Sequence, residues 1–259
     1  MFYSLRRRLL RINENLRRLG TTPREFPTTL HLGPCPCCGS TNLFQRDVLW
    51  DDLVDIWSLS PKEIVYINRQ QGFRCQNCGS RLRSMALGAW FTHYLGGRLP
   101  LATEIDLRAD ECDLAILEVN EAGQLTQFLS RLRGHVLGQY PELDIQDIRF
   151  ADNTFDVVIH SDTLEHVPDP LRALSECCRI VKPGGVCAFT VPTVVGRPTR
   201  DTVISLPSYH GHAGVRSDDL RVRTEFGDDV WKMVVAAGFR EYRLFSLEYP
   251  AALVHCGVK

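Results

Sequence analysis

The stretch Phe150–Pro192, FADNTFDVVIHSDTLEHVPDPLRALSECCRIVKPGGVCAFTVP, carries the clearest fold signal in the chain. Phe155–Ser161 is a short, strongly apolar run of the kind that forms a strand buried on both faces. Pro170 to Val181 has helical spacing, with Leu171, Leu174, Cys178 and Val181 expected inward, and Gly184-Gly185 expected to end the helix. Val186–Val191 is again strand-like. Strand, helix and strand in this order make the crossover unit of a parallel sheet.

Working outward, the same alternation continues on both sides. Leu114–Asn120 reads as a strand, Gln124–Leu132 as a helix with Leu125, Phe128, Leu129 and Leu132 inward, and His135–Tyr140 as a second strand. The interval from Tyr140 to Phe155 is too short for a further helix and strand, which predicts a trimmed sheet edge. Asp228–Ala237 reads as a helix stopped by Gly238. Tyr242–Leu247 and Ala251–Val258, joined at Tyr249-Pro250, suit an antiparallel hairpin. The expectation is an α/β domain over residues 85–259: a mostly parallel sheet covered on both faces and closed by an antiparallel C-terminal hairpin.

Ahead of it lie two matching knots, Cys35-Pro-Cys-Cys38-Gly-Ser and Cys75-Gln-Asn-Cys78-Gly-Ser. A C-x-x-C turn sets two thiolates on one side of a tight loop, and two such turns complete a closed, tetrahedral zinc site. Cys35, Cys38, Cys75 and Cys78 are therefore expected to hold structural Zn²⁺ in a small ribbon-like module over residues 31–84. Paired disulfides and unligated thiols remain open, and Cys37 competes as a ligand. Leu49 to Asn68 is long enough for a small insert between the knots. Arg81 to Tyr94 reads as a helix ending at Gly96-Gly97.

Residues 1–30 carry an arginine-rich amphipathic stretch, Ser4–Leu19, and a proline-marked linker. It reads as a surface helix, with peripheral membrane contact as the alternative. The composition, 44% apolar and 24% charged with net charge -1, is that of a soluble globular protein with no global pull toward nucleic acid. No apolar run is long enough to span a bilayer, and the cysteine usage fits a reducing cytoplasm.

The motifs Asp144-x-x-Asp147-Ile148-x-Phe150-x-Asp152-x-x-Phe155-Asp156, Leu164-Glu165-His166-Val167-Pro168-Asp169-Pro170 and Lys182-Pro183-Gly184-Gly185 resemble the small-molecule branch of the class I S-adenosylmethionine-dependent methyltransferases. The resemblance runs from about Cys112 to the C-terminus and implies a Rossmann-like methyltransferase sheet. It implies that Glu118, Asn120 and Gly123 face the methionine and ribose of S-adenosylmethionine, that Asp144 or Asp147 with Ile148 border its adenine, and that His160 and Ser161 line the methyl group. Two features depart from the family. Asn120 and Glu121 stand where glycines are usual, and the second strand ends at Gln139-Tyr140 without the usual acid, for which Glu142 is the substitute. The knuckles, the altered first loop and Tyr209-His210-Gly211 together are similar to a bacterial subgroup associated with glycan modification.

Methyl transfer to a hydroxyl asks for alignment and for a base, and histidine titrates near neutrality. His166 and His210 are the candidate catalytic residues, with His212 close to the second. Asp162, Glu165 and His166 also resemble a trio implicated in cation binding in ubiquinone-pathway O-methyltransferases. Arg197, Arg200, Arg216, Arg221 and Arg223 could receive an anionic acceptor. The leading expectation is methyl transfer to a hydroxyl of a glycan precursor or other small metabolite. An RNA methyltransferase that grips RNA through the zinc module and a non-catalytic methyltransferase-like binding protein stay open as alternatives.

Overall fold

Two short strands, β1 (Leu43–Phe44) and β2 (Arg74–Cys75), pair antiparallel, and the chain between them forms the helices α1 (Asp51–Ile56) and α2 (Pro61–Gly72). The insert is therefore helical. Ser60 caps α2 with Glu63 in a reciprocal box, and Pro61 occupies the first turn. The apolar side of the insert, Leu53, Trp57, Leu59 and Ile67, packs on Val194 and Val222. This computed structural model describes residues 33–202, 208–209 and 221–259. The basic stretch Ser4–Leu19, and His210, His212 and Arg216, lie outside the described residues.

α3 (Leu82–Tyr94) follows the second knuckle directly, and α4 (Leu101–Arg108) follows α3. α3 is buried along most of its length, so it acts as a core helix rather than a surface one. Beyond it come β3 (Ile116–Val119), the single turn α5 (Thr126–Leu129), β4 (His135–Gly138), β5 (Phe155–Ser161), α6 (Pro170–Ile180) and β6 (Val181–Thr190). A set of short strands comes next: β7 (Thr193–Val194), β8 (Arg200–Asp201), β9 (Ser208–Tyr209), β10 (Arg221–Val222) and β11 (Thr224–Gly227). α7 (Val230–Ala236) leads to the hairpin β12 (Glu241–Glu248) and β13 (Ala252–Val258).

The central sheet has six strands in the order β12-β13-β6-β5-β3-β4. β4, β3, β5 and β6 run parallel, and β13 and β12 close the sheet antiparallel. This is the Rossmann-like, mostly parallel sheet with an antiparallel hairpin that the sequence predicts. β4 forms the edge, with no strand beyond it among the described residues, as the short Tyr140–Phe155 interval requires.

Three details differ from the sequence reading. α5 is one turn long, although Leu125, Phe128, Leu129 and Leu132 are all buried. Leu171 is exposed, because the buried stripe of α6 is centred later, on Ala173, Leu174, Cys177 and Ile180. Gly184-Gly185 does not end the helix. α6 stops at Ile180, Val181 already pairs with Phe155, and the next partners are Val186 and Val157, so the Pro-Gly-Gly segment bulges out of β6.

Candidate functional site

The two knuckles are copies of one another in the backbone. Gly39 N–H donates to Cys35 C=O at 2.7 Å and Cys35 N–H to Ser40 C=O at 2.8 Å; Gly79 donates to Cys75 at 3.0 Å and Cys75 to Ser80 at 2.8 Å. Both glycines have positive φ, +77° and +74°, which a side chain would strain. The sulfur atoms of Cys35, Cys38, Cys75 and Cys78 all lie within 4.8 Å of one another. The Cys35–Cys78 and Cys38–Cys75 sulfurs are 3.8 Å and 3.6 Å apart. Four thiolates at the usual Zn–S length, about 2.3 Å, sit about 3.8 Å from each other in a tetrahedron. The donor set therefore fits zinc. Cys37 is outside the group: it is fully buried, and its thiol donates to Ser84 C=O at 3.6 Å.

The knuckles are tied to the rest of the fold through α4 and α5. Leu101 and Ala102 N–H donate to Pro36 and Cys37 carbonyls, and Gln127 Nε2 donates to Cys78 C=O at 2.9 Å. Because α3 starts seven residues after Cys75, the cluster fixes where its first turn sits. That turn carries Arg83, paired with Asp162, and Ser84, against Gly123.

The first loop keeps a glycine-like path with side chains at 120 and 121. Asn120, Glu121 and Gly123 have φ of 56°, 51° and 66°. The left-handed region costs a side-chain-bearing residue about 1–2 kcal/mol, which the surroundings must offset. They do so through Glu118. Its fully buried carboxylate accepts from Ala122 N–H at 2.7 Å and Thr126 Oγ1 at 2.8 Å, and meets His135 Nε2 at 2.7 Å. Glu118 shapes the loop from beneath, so its carboxylate does not face a ligand. Asn120 Oδ1 accepts from Tyr140 N–H at 2.8 Å and couples the loop to the end of β4, where Tyr140 is exposed.

Along the trimmed edge, Asp144 caps a local turn by accepting from Gln146 N–H at 2.8 Å. Asp147 and Glu142 are exposed. Ile148 is buried in the core under α6, and its N–H donates to Glu176 at 2.9 Å. Its side chain is packing, while its neighbours remain at the surface.

Strand alternation separates His160 from Ser161. Ser161 lies on the α3 face, 2.7 Å from Thr190 Oγ1 and close to Gly123. His160 lies on the α6 face, fully buried and stacked on Phe189 at 5.0 Å, with its ring nitrogens among the thiols of Cys177 and Cys187. Burial pushes its pKa down to about 3. The expected place beside a methyl group thus suits Ser161 and not the imidazole of His160.

The turn after β5 is stitched to the 221–224 segment. Asp162 has φ of 51°, and Arg223 and Thr224 N–H donate to Glu165 C=O at 2.7 Å and 3.2 Å. Glu165 is 1% exposed, and burial, followed by the nearby Asp162, raises its pKa well above the carboxylate range. His166 Nδ1 lies 2.9 Å from Arg221 C=O, which only accepts; Nδ1 carries the proton and Nε2 the lone pair, 3.7 Å from Glu165 Oε1. Burial lowers the His166 pKa, so the neutral base form is favoured. The Asp162, Glu165 and His166 donor atoms are not among the converging metal-type groups of the described residues. Arg83 takes the cationic place beside Asp162.

Next to this turn opens a cavity of about 530 Å³, bounded by Asp162 and Pro192 at the ends of β5 and β6, by Arg81 and Arg83 of α3, and by Trp50 and Trp57 of the insert. Of the arginines singled out from sequence, three are engaged elsewhere, while the buried Arg221 Nε has no hydrogen-bond partner among the described residues. Arg197 binds Glu63 and the carbonyls of Trp57 and Ser58, Arg200 pairs with Glu225, and Arg223 Nε donates to His166 C=O. The basic groups on the cavity are Arg46, Arg81 and Arg83, which the sequence reading missed because they belong to the cysteine module and not to the 197–223 segment.

Residues 89–189 match the family model described as a methyltransferase domain. The matched segment runs from within α3 to β6 and carries the first loop, Ser161 and the Asp162–His166 turn. Its relatives include a probable S-adenosylmethionine-dependent methyltransferase of Mycolicibacterium smegmatis, 34% identical over 77 residues, which are 27% of this chain and 30% of that protein. A ubiquinone biosynthesis O-methyltransferase of Vibrio cholerae is 33% identical over 89 residues, 34% of this chain and 31% of that protein. The chain thus spans about a third of the length of these curated relatives. A solved S-adenosylmethionine-dependent methyltransferase of Thermotoga maritima, described as a possible histamine N-methyltransferase, covers 59% of this chain and 86% of its own, at 16% identity and a TM-score of 0.36.

Proposed function

We propose that the protein transfers a methyl group from S-adenosylmethionine to a hydroxyl of a small metabolite, with a glycan precursor as the leading class. The observation that carries this reading is the methyltransferase-domain match over residues 89–189, on a sheet whose first loop keeps the left-handed backbone at 120, 121 and 123. The cofactor, when bound, supplies an activated methyl on a sulfonium. The loop Asn120–Gly123, Ser161 and the exposed Tyr140 are the groups that would hold it. Ile148 and Glu118 support those groups from the core side. Asp144 and Asp147 sit at the edge where the adenine would lie.

His166 supplies the base. Its Nδ1–H is fixed on Arg221 C=O, so Nε2 is the atom that takes the proton from an acceptor hydroxyl. His210 is kept as a second candidate from the sequence. We further propose that Cys35, Cys38, Cys75 and Cys78 hold structural zinc, whose role is to fix the first turn of α3. Titration with S-adenosylmethionine in a calorimeter tests the central reading. Binding heat and a thermal shift are expected, and neither appearing at millimolar cofactor overturns it.

A further inference from the structure

We infer that the cavity between the insert and the ends of β5 and β6 is the acceptor site, built for a ligand that joins a flat apolar ring to a phosphate-type anion: the nucleoside diphosphate class. This rests on the methyltransferase reading only for the word acceptor. The ligand chemistry follows from the walls.

One wall is basic. Arg46 and Arg81 line the cavity, and their guanidinium groups have no hydrogen-bond or ion-pair partner among the described residues. Arg83, 6% exposed, pairs with Asp162 through Nη1, while its Nε has no hydrogen-bond partner among the described residues. The carboxylates on the cavity are Asp47 and Asp162, and Asp162 is committed to Arg83. Burial, and then the neighbouring Arg83, holds Arg81 below its ordinary range, a repulsion that a bound anion relieves. Arginine is the side chain whose planar fork suits an oxyanion.

The other wall is apolar. Leu49, Trp50, Leu53 and Trp57 come from the insert, and the Trp57 indole, 4% exposed, has an N–H without a partner among the described residues. A buried donor left open beside three guanidinium groups asks for an acceptor-rich ligand. The volume, about 530 Å³, is that of a small-molecule site. None of residues 118–123 or 139–150 lines it. The cavity therefore stands apart from the crevice proposed for the cofactor and meets it at Asp162.

The test uses the full-length, metal-loaded protein and uridine 5′-diphosphate as the probe, followed by tryptophan fluorescence, with uridine and inorganic pyrophosphate as separate arms. The diphosphate is expected to bind more tightly than either part. Arg46→Ala and Arg81→Ala should each weaken it roughly tenfold or more and flatten its salt dependence, leaving S-adenosylmethionine affinity unchanged. No binding of the diphosphate to the wild type, or binding that both variants leave intact, overturns the inference. So does a selective loss of cofactor affinity in the variants, which would assign the anion to the cofactor's own carboxylate. Cofactor heat in the wild type is measured separately, so a failure of the methyltransferase reading is seen independently of the probe.

Discussion

Gly123 faces Ser84 so closely that a Cβ on the glycine would fall on the serine hydroxyl. One residue belongs to the first loop of the sheet and the other to the first turn of α3. Gly123→Ala brings both a left-handed alanine and an overpacked contact, and together these should destabilise the protein by about 3 kcal/mol. Ser84→Gly in the same chain should return the packing share and leave the backbone share. A denaturant-unfolding cycle over the four proteins checks this. Additive effects would show that the two residues do not touch.

Glu121 is the less comfortable half of the same loop, since it holds φ of 51° with only a 3.3 Å contact from Gln139. Glu121→Gly should therefore stabilise the fold, by roughly 0.5–1 kcal/mol after glycine's own entropy is counted. Thermal unfolding of the variant reads the sign directly. A lowered midpoint would mean that the glutamate side chain contributes more than its backbone costs.

The cysteine cluster and the loop should fail together. If zinc holds the knuckles, chelation or Cys75→Ser frees the chain just ahead of Arg81–Ser84 and loosens the face that Gly123 packs on. The expected result is loss of about one metal per chain, a lower melting temperature and weaker S-adenosylmethionine binding. Metal analysis beside calorimetry checks it. Intact cofactor affinity in a metal-free, folded protein would separate the two sites.

Much of this was legible in the sequence because it rests on local patterns: buried strands such as Phe155–Ser161, the hairpin, and the repeated C-x-x-C-G-S turns. The faces were harder. His160 and Ser161 are adjacent letters that project to opposite sides of β5, and only the packing of α6 and α3 decides which side holds which. The basic cavity was hidden for another reason. Arg46, Arg81 and Trp57 are separated in sequence and meet only because α1 and α2 fold back over the ends of β5 and β6. Arg197, by contrast, looked available and is consumed by Glu63.

Burial of neutral histidines sets the acid stability. His160 and His255 have pKa values pushed down to about 3 and about 4 by burial. The unfolded chain takes up both protons below about 6.5, and the native chain resists, so acid favours unfolding. Stability should fall as pH drops from about 6.5 toward 4, by up to roughly 1.4 kcal/mol per pH unit for each histidine. His160→Leu removes one of the two and should make the fall shallower. An unchanged slope across pH 4–6.5 would mean that the ring is protonated in the native state.

His166 is open to a test that needs no acceptor. With Nδ1–H on Arg221 C=O and burial disfavouring the cation, nitrogen NMR should show protonated Nδ1 and bare Nε2 at neutral pH, titrating below the usual 6.5. If His166 is the base as proposed, turnover should hold on the alkaline side and fall as pH drops through that lowered pKa. His166→Asn should cost about 100-fold or more in kcat and abolish that acid limb, with cofactor affinity little changed. A variant that loses KM alone, with the acid limb intact, would make His166 a positioning residue of the 221–224 segment and send the search for the base to His210.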